Sequence, residues 1–322
     1  MPQIKVFLLA SGAIAVRTLA ALMAAASVRL MGVGTQPDRR QGRRGFAPTP
    51  IGAWCEQHQQ PIAKIENVND PAVIDRIAAC APDIVLVFAF GQLLRSQLLE
   101  LPTKACVNLH ASLLPAYRGA APINAAILNG DSVTGISVTQ MERGLDSGPV
   151  YSRHNVTIRQ GENAAELEDR LSQEAARIVV PQLQKIATHQ LRPVPQNHEQ
   201  ASHVSKLSRD DGRVDFSRPA NLIERQIRAY TPWPGAWFQL PARGGSKRII
   251  ITAASIAEGQ HDALPGTILA ADKHEWKVAC GNEALSIETI VPQGKREMTG
   301  IEFLRGTPLQ TGQNVNHETD NS

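Results

Sequence analysis

Two polar side chains, Asn108 and His110, lie two residues apart at the end of a short apolar run. Alternation along a strand places residues i and i+2 on one face, so this amide and imidazole would point the same way. An amide donor can stabilise a developing oxyanion, and an imidazole can donate a further hydrogen bond or move a proton. The pair suits an acyl-type transfer, but a polar strand end satisfied by backbone groups would show the same two residues.

A carboxylate, Asp146, lies in the segment Gly144–Gly148 (GLDSG), directly after the strand-like run Gly135–Met141. Glycines on both sides permit a tight backbone path that could aim the carboxylate inward. An aspartate in an ordinary surface turn would have the same neighbours, so the segment alone does not decide between the two.

Other kinds of site find less support. Ser112, His110 and Asp146 supply the residue types of a serine hydrolase, but no G-x-S-x-G elbow occurs and Ser112 is only two residues from His110. The pair Gly32 and Gly34 lacks the third glycine of a dinucleotide-binding turn. No His, Cys and Asp cluster has metal-ligand spacing, so no metal is predicted.

The first half of the chain contains an arginine cluster at residues 39–44. Its members occupy four of six positions, and no acidic residue occurs from Arg39 to Cys55: they are Arg39, Arg40, Arg43 and Arg44. Such clusters often form nothing more than a solvated face. This one is punctuated by Gly and Pro, and it could follow a phosphate backbone while Phe46 or an arginine plane stacks on a base.

The composition limits the class of protein that carries these residues. The chain has 322 residues, enough for two domains, with 43% hydrophobic and 20% charged residues. A net charge of +3 is too small for a general nucleic-acid coat, so any basic surface must be local. Four cysteines without a C-x-x-C pair argue against a zinc module or disulfide scaffold. With apolar runs too short to span a bilayer and no signal peptide, we expect a cytoplasmic protein without membrane contact.

The first half alternates short apolar runs with helical patterns, which predicts an α/β fold with a Rossmann-like, mostly parallel sheet. The predicted strands are Ile4–Leu9, Val28–Val33, Ile62–Ile65, Asp83–Ala89 and Cys106–His110, and the predicted helices are Ala13–Ala25, Asp70–Ala79 and Asn163 to Ile186. Ligands bind beyond the carboxyl ends of the strands in such sheets. His110 ends one of these strands.

The second half has a different pattern. A polar, proline-containing stretch at 187–204 predicts a linker between domain 1–186 and domain 205–308, and a flexible tail is expected at 309–322. Short strands punctuated by Gly, Pro and Asp predict a small OB-like β-barrel: Val214–Phe216, Trp237–Leu240, Arg248–Thr252, Gly266–Ala270, Trp276–Ala279 and Ala284–Ile290.

The segments NLHASLLPAYRGAAPINAAILNGD and TGISVTQMERGLDSGPV closely resemble the folate-dependent formyltransferases. That resemblance implies a catalytic triad of Asn108, His110 and Asp146, with 10-formyltetrahydrofolate as formyl donor and co-substrate. In the reaction it implies, Asn108 and His110 hold the oxyanion, and Asp146 fixes the His110 tautomer and accepts the amine proton. It also implies a set of folate-binding residues in two segments: Ser112, Leu113, Leu114 and Pro115, and the backbone of Val87, Phe88, Ala89, Phe90 and Gly91.

Two further segments bear on the formyl acceptor. The arginine cluster resembles the basic insertion loop of the family branch that acts on methionyl-tRNA, and Arg43 matches its key arginine best. Residues 206–216 and 227–237 resemble the start of that branch's C-terminal OB-like domain. The implied acceptor is the α-amine of initiator methionyl-tRNA, in translation initiation, and the implied partners are this tRNA and folate, with no obligate protein partner and a monomeric chain.

Two alternatives stay open. An aminosugar-nucleotide formyltransferase shares the core and has a related C-terminal domain, and a catalytically silent tRNA-binding module could keep the fold. The chain also departs from the family at Ala10–Ile14, where most members have Gly-Thr-Pro-x-Phe, and at Phe90, where many have Tyr. Because the triad residues are all present, we expect an active enzyme.

Overall fold

The computed structural model describes residues 3–40, 45–242, 245–257, 259 and 262–315. The chain divides into two compact units. The first comprises the chain up to Ile123, Ser132–Ile158 and Leu167–Ser205, and the second comprises Asn124–Asp131, Arg159–Glu166 and the chain from Lys206 on. No helix of the described residues is long and apolar enough to cross a membrane.

A seven-stranded sheet forms the centre of the first unit. In chain order its strands and the short pairs beside it are β1 (Ile4–Ala10), β2 (Val28–Thr35), β3 (Arg39–Arg40), β4 (Phe46–Ala47), β5 (Ala63–Lys64), β6 (Ile84–Phe88), β7 (Ala105–His110), β8 (Arg118–Gly119), β9 (Val133–Gln140), β10 (Val150–Thr157) and β11 (His203–Val204). The sheet order is β10-β9-β7-β6-β1-β2-β5, and β9 and β10 are its antiparallel members. The predicted α/β fold with a mostly parallel sheet is confirmed.

The strand order places a ligand-binding edge at a defined point. From β1 the chain proceeds outward through β2 and β5, and then it crosses back to β6 and β7 on the other side of β1. In doubly wound sheets, ligands bind at the point where the strand order reverses, outside the carboxyl ends of the strands. That point is the gap between the ends of β1 and β6.

Helices lie between these strands along the chain: α1 (Val16–Ala24), α2 (Pro50–Gln57), α3 (Pro71–Ala79), α4 (Ser96–Leu99), α5 (Pro122–Asn129) and α6 (Ala164–Ala187), with a 3-10 turn at Ala13–Ala15 before α1. Most of α5 and the first residues of α6 belong to the second unit. Two of them begin with the same device. Thr49 and Asp70 each accept a hydrogen bond from the backbone N–H of N3 or N2, and a proline at N1 supplies a preset φ.

The second unit is built on a curled antiparallel sheet, a half-barrel. It contains α7 (Ala220–Tyr230), β12 (Ala236–Ala242), β13 (Gly245–Ala257), β14 (Ile268–Ala271), β15 (Trp276–Ala279), β16 (Ala284–Pro292), β17 (Met298–Thr299) and α8 (Gly300–Gly306). Its strands run in the order β12-β13-β16-β15-β14, and β17 adds to β16. Trp276 fills its core, stacked on Phe303 with ring centroids 5.6 Å apart.

One predicted strand of this unit, Val214–Phe216, is wrong. Val214 and Phe216 are buried in the core, but the adjoining pairing with Trp237 is an isolated bridge from Arg213, joined by a bond from the N–H of Val214 to the carbonyl of Trp237 at 2.7 Å. The carboxylate of Asp215 accepts from the backbone N–H and the hydroxyl of Ser217, at 2.9 and 2.7 Å. This local turn competes with a sheet ladder and ends the extended backbone.

The predicted linker and tail contain specific contacts. Val194 forms a bridge with Val150, and β11 pairs with β8. In the tail, Val315 is buried against the second core, and residues 316–322 lie outside the described part of the chain. The boundary between independently folding parts stays a prediction.

The glycine pair of β2 has a packing role. A Cβ at Gly32 would lie 2.5 Å from the ring atom Cε2 of Phe7, so the strand passes directly over this buried ring. We expect Gly32→Ala to lower the free energy of unfolding by about 1–3 kcal/mol, because the core must shift to admit the methyl group. Urea denaturation checks this, with Gly306→Ala as control, since a Cβ at Gly306 meets nothing within 4 Å. Equal stability of the two variants would contradict the packing role.

Candidate active site

Asn108 and His110 come from the last residues of β7, which lies beside β6 in the middle of the sheet. Their i, i+2 spacing puts both side chains on one face. His110 is buried, and Asn108 is partly exposed. The predicted common face is therefore matched by the strand geometry.

Asp146 reaches this face from the loop that joins β9 to β10. Its Oδ1 accepts from Nδ2 of Asn108 at 3.3 Å, and its Oδ2 accepts from the backbone N–H of Gly119 at 2.9 Å. The same Oδ2 lies 3.6 Å from Nδ1 of His110. The structure therefore brings together the three residues that the motifs separate by 38 positions.

The backbone of Asp146 is held in the left-handed region, with a φ of +50°. For a residue with a Cβ this conformation costs roughly 1–2 kcal/mol, although aspartate tolerates it better than most. Rather than either flanking glycine, the aspartate itself takes the strained conformation. The turn aims its carboxylate at β7.

The proton position on His110 is set by Tyr117. The ring atom Nε2 lies 2.8 Å from the carbonyl oxygen of Tyr117. A carbonyl can only accept, so Nε2 carries the proton and the Nδ1 of a neutral ring has a lone pair facing Asp146. At 3.6 Å the ring and carboxylate are too far apart for a direct hydrogen bond. In this geometry the carbonyl of Tyr117, and not the expected carboxylate of Asp146, determines the tautomer of His110.

This arrangement can hold negative charge and take up a proton. Nδ2 of Asn108 has two N–H groups, and only one of them is directed at Asp146. Nδ1 of His110 and Oδ2 of Asp146 together form a proton-accepting pair. The thiol of Cys106 on the same strand is no competing nucleophile, because burial raises its pKa to about 12. Among the described residues, no group of three or more His, Cys, Asp or Glu is placed to hold a metal ion.

The predicted folate residues differ in exposure. In the first segment, Ser112 and Leu114 are buried while Leu113 and Pro115 are partly exposed. The hydroxyl of Ser112 donates to the carbonyl of Ala116 at 2.6 Å, so it shapes the loop. In the second segment, Ala89 and Gly91 are exposed and the other three residues are buried: Val87, Phe88 and Phe90. Ala89 and Gly91 are the accessible residues of that segment.

The departure at Ser11 is accommodated by hydrogen bonds at the strand-order reversal. Its hydroxyl accepts from the backbone N–H of Gln36 at 3.0 Å and donates to the carbonyl of Phe90 at 3.3 Å. The backbone N–H groups of Ser11 and Gly12 both donate to Ala89. Ser11 thus joins the ends of β1, β2 and β6.

Half of the arginine cluster is described. Arg39 and Arg40 form β3 and pair with Ala47 and Phe46 of β4, and both arginines are exposed. The ring of Phe46 is 74% exposed, which leaves its face available for stacking. The predicted tRNA-binding residues Arg43 and Arg44 lie outside the described residues.

Three residues of the site carried no separate prediction. Tyr117 and Gly119 belong to the loop PAYRG after β7, inside one of the two segments that resemble the family. Gly119 has a φ of +115°, and a Cβ there would overlap the carbonyl oxygen of Val204. Gln196, from the predicted linker, donates through Nε2 to the carbonyls of Asp146 and Gly148. A single glutamine in a polar stretch has no sequence pattern that would identify it.

Two family models match the sequence of this chain. A model described as "Formyl transferase" matches residues 3–183, and one described as "Formyl transferase, C-terminal domain" matches residues 206–308. The chain belongs to the formyl transferase family.

Within that family, the curated relatives of this chain include methionyl-tRNA formyltransferases. The protein from Trichlorobacter lovleyi is 38% identical over 284 residues, which cover 88% of each chain. The protein from Thiobacillus denitrificans is 39% identical over 291 residues, covering 90% of this chain and 93% of the relative. Among solved structures, an N-formyltransferase from Helicobacter canadensis, in complex with folinic acid and dTDP-3-aminofucose, has a TM-score of 0.60 at 16% identity, covering 89% of this chain and 99% of that one. The structural likeness shows the shared fold.

The contact between His110 and Tyr117 predicts opposite tautomers for two histidines. His110 should carry its proton on Nε2, whereas His58 should carry it on Nδ1, which lies 2.8 Å from the carbonyl of Trp54. Nitrogen-15 chemical shifts of the neutral rings distinguish the two forms. A neutral His110 protonated on Nδ1 would contradict the geometry described for the site.

Proposed function

We propose that this protein transfers the formyl group of 10-formyltetrahydrofolate to the α-amine of initiator methionyl-tRNA. The observation that carries the proposal is the carboxylate of Asp146, hydrogen-bonded to Asn108 and facing His110 at the end of β7. The curated relatives, which match this chain over most of their length, bear the name of that activity. Products are formylmethionyl-tRNA, for translation initiation, and tetrahydrofolate.

The first chemical step is attack of the neutral α-amine on the formyl carbon. A C–N bond forms, the formyl oxygen gains negative charge, and the nitrogen becomes cationic. The N–H of Asn108 that is not directed at Asp146 lies on the face where this oxygen would be stabilised. Such a fixed donor is worth about 10²–10³ in rate, because it needs no reorganisation when the charge develops.

The second step moves a proton and breaks the bond to N10 of the folate. Asp146, with Nδ1 of His110 beside it, accepts the proton that the attacking nitrogen must lose. The electron pair of the breaking C–N10 bond goes to N10, which takes up a proton as tetrahydrofolate leaves. This proton balances the one that Asp146 accepted, so Asp146 returns to its starting carboxylate form. Because Nε2 of His110 is engaged by Tyr117, the ring can exchange a proton only through Nδ1.

For the folate we propose the gap at the strand-order reversal. The exposed residues Ala89 and Gly91 lie at this gap, and backbone groups fix the orientation of ligands in many small-molecule sites. Leu113 and Pro115 are partly exposed on the loop that follows His110. Donor and catalytic side chains would then share the carboxyl edge of one sheet.

For the tRNA we propose the arginine cluster as the main contact. The paired strands β3 and β4 present Arg39, Arg40 and the ring of Phe46 to solvent. Phosphates pair with guanidinium groups, and an unstacked base can lie on an aromatic face. The family's C-terminal domain, matched by the second unit, would add contacts along the acceptor.

We also propose that the protein acts as a monomer in the cytoplasm. All three catalytic side chains come from one chain. The four cysteines are free thiols, as is common in reducing compartments.

Removal of a single triad group tests the chemistry. We expect Asn108→Ala and His110→Ala each to lower kcat by at least about 10²-fold with little change in tRNA affinity. Asp146→Asn should be as damaging, because both carboxylate oxygens accept from N–H donors and an amide would turn its own NH2 group toward one of them. The measurement is single-turnover formylation of methionyl-tRNA with saturating formyl-folate.

Near-normal turnover in any of the three variants would overturn its catalytic role. Thr103→Ala is a control just before the other end of β7, since its exposed hydroxyl donates to Asp83 at 3.0 Å and not to the triad. It should keep kcat within about threefold of the parent enzyme, as expected when no transition-state contact is lost.

Arg40→Ala combined with Arg43→Ala tests the choice of acceptor. Each phosphate contact that is lost should flatten the plot of log affinity against log salt by somewhat less than one unit, and formylation of methionyl-tRNA should weaken about tenfold or more. Hydrolysis of formyl-folate in the absence of tRNA should stay unchanged. Arg76→Ala, which removes one exposed charge from α3, is the control. Undiminished tRNA formylation by the double variant would show that the cluster does not bind tRNA. An aminosugar nucleotide would then again be a candidate acceptor.

A further inference from the structure

Gln196 is a buried side chain with all its hydrogen-bonding positions directed at partners near Asp146. Only 5% of the residue is exposed. Its Nε2 donates to the carbonyl of Asp146 at 2.8 Å and to that of Gly148 at 2.6 Å. Its Oε1 accepts from Nε and Nη2 of Arg118 at 3.2 and 2.8 Å.

The orientation of this amide follows from its partners alone. Carbonyl oxygens only accept and a guanidinium only donates, so the NH2 group must face Asp146 and the oxygen must face Arg118. A flipped amide would lose all four contacts. The side chain therefore connects the loop of Asp146 to Arg118 in a single arrangement.

The two carbonyls belong to the turn that holds Asp146 in its left-handed conformation. That turn is unfavourable for a residue with a Cβ and persists only when its surroundings fix it. Gln196 fixes the backbone of the turn on one side, and the N–H of Gly119 fixes the carboxylate on the other. Gly119 directly follows Arg118, so one short strand, β8, anchors both contacts.

Arg118 makes the anchor rigid. It is 5% exposed, and its guanidinium donates to Oε1 of Gln196 and, at 3.0 Å, to Nδ1 of His198. A buried cation requires hydrogen-bond acceptors and cannot easily release them. Because the guanidinium of Arg118 needs this acceptor, Oε1 of Gln196 stays in place. The NH2 group of Gln196 therefore stays hydrogen-bonded to the turn.

We propose that Gln196, held by Arg118, is a positioning residue that fixes the backbone of Asp146 so that its carboxylate faces His110 and Asn108. This rests on the proposed function for the catalytic role of Asp146. Gln196 touches no reacting atom in the proposal. Its effect on the reaction passes through the placement of one carboxylate, and a displacement of about 1 Å there can cost 10²-fold in rate.

A merely structural role is the competing explanation, in which Gln196 only satisfies Arg118. Gln196→Glu separates the two because it keeps an acceptor for Arg118 and removes both donors to the turn. The new carboxylate stays ionised beside the guanidinium and repels the carbonyls of Asp146 and Gly148. Gln196→Met, which removes the donors and the acceptor together, shows the effect of losing both sides.

We expect Gln196→Glu to lower kcat about 10–100-fold, with KM for folate and tRNA within about twofold of the parent. Its melting temperature should stay above that of Gln196→Met, since Arg118 remains paired. A merely structural role predicts that Gln196→Glu turns over like the parent. The kcat values of Gln196→Glu and Gln196→Met would then follow their melting temperatures. A kcat within twofold of the parent would overturn the proposal.

Hydrogen exchange at the amide of Gly119 gives a readout that needs no activity. Its protection depends on the carboxylate of Asp146, so Gln196→Glu should accelerate exchange there about 10-fold or more as the turn loosens. Gln226→Glu is the matched control, because Gln226 is a 3% exposed glutamine that also donates to two carbonyls, of Asp211 and Arg213, in the second unit. It should change neither kcat nor the exchange of Gly119.

The two readouts keep the proposals apart. If the parent transfers no formyl group to methionyl-tRNA, the proposed function fails, and the exchange of Gly119 still decides whether Gln196 holds the turn. If the parent is active but Gln196→Glu leaves Gly119 protected and kcat unchanged, the positioning role alone is wrong.

Discussion

The site depends on one carboxylate held in a strained turn. Asp146 follows β8, α5 and β9 in the chain, and it meets Asn108 and His110 from a loop in which its own backbone takes a left-handed conformation. Donors from two other segments, Gly119 and Gln196, hold its carboxylate and its carbonyl. Much of the first unit can be understood as a frame that brings these segments to one edge of a sheet.

The sheet explains why the remaining parts lie where they do. Parallel strands end at a common edge, and the order reverses between β1 and β6, which opens a gap beside β7. Ser11 joins the ends of three strands at that gap, in the place where most family members have a different turn. Its hydroxyl accepts from the backbone N–H of Gln36 and donates to the carbonyl of Phe90, so this turn has its own hydrogen bonds at the edge of the sheet.

The sequence predicted most of what depends on periodicity and motif. β1, β6 and β7 lie within a residue or two of their predicted bounds, because buried parallel strands are continuous apolar runs. The strand β10 was not predicted, since its edge position leaves alternate side chains exposed and its sequence, VYSRHNVT, looks polar. Whether such an edge strand forms depends on tertiary contacts, which the local sequence pattern does not show.

The same division applies within the site. Asn108, His110 and Asp146 were identified by the motifs around them, although the roles of their atoms were not. The proton position on His110 depends on a carbonyl, that of Tyr117, and the turn of Asp146 depends on a glutamine from a polar stretch. Every residue has a backbone carbonyl, so the residue type does not show which carbonyl accepts a hydrogen bond. In sequence, a buried glutamine looks the same as a surface glutamine. Packing alone reveals them.

The central claim is that the carboxyl edge of β7 places a formyl group between Asn108 and Asp146. A crystal structure of the protein with a stable analogue of 10-formyltetrahydrofolate tests this most directly. The account predicts the formyl oxygen at about 2.7–3.1 Å from Nδ2 of Asn108, with its carbon open to an amine on the side of Asp146. A folate bound at another edge of the sheet, or with its formyl group directed away from these two side chains, would contradict it.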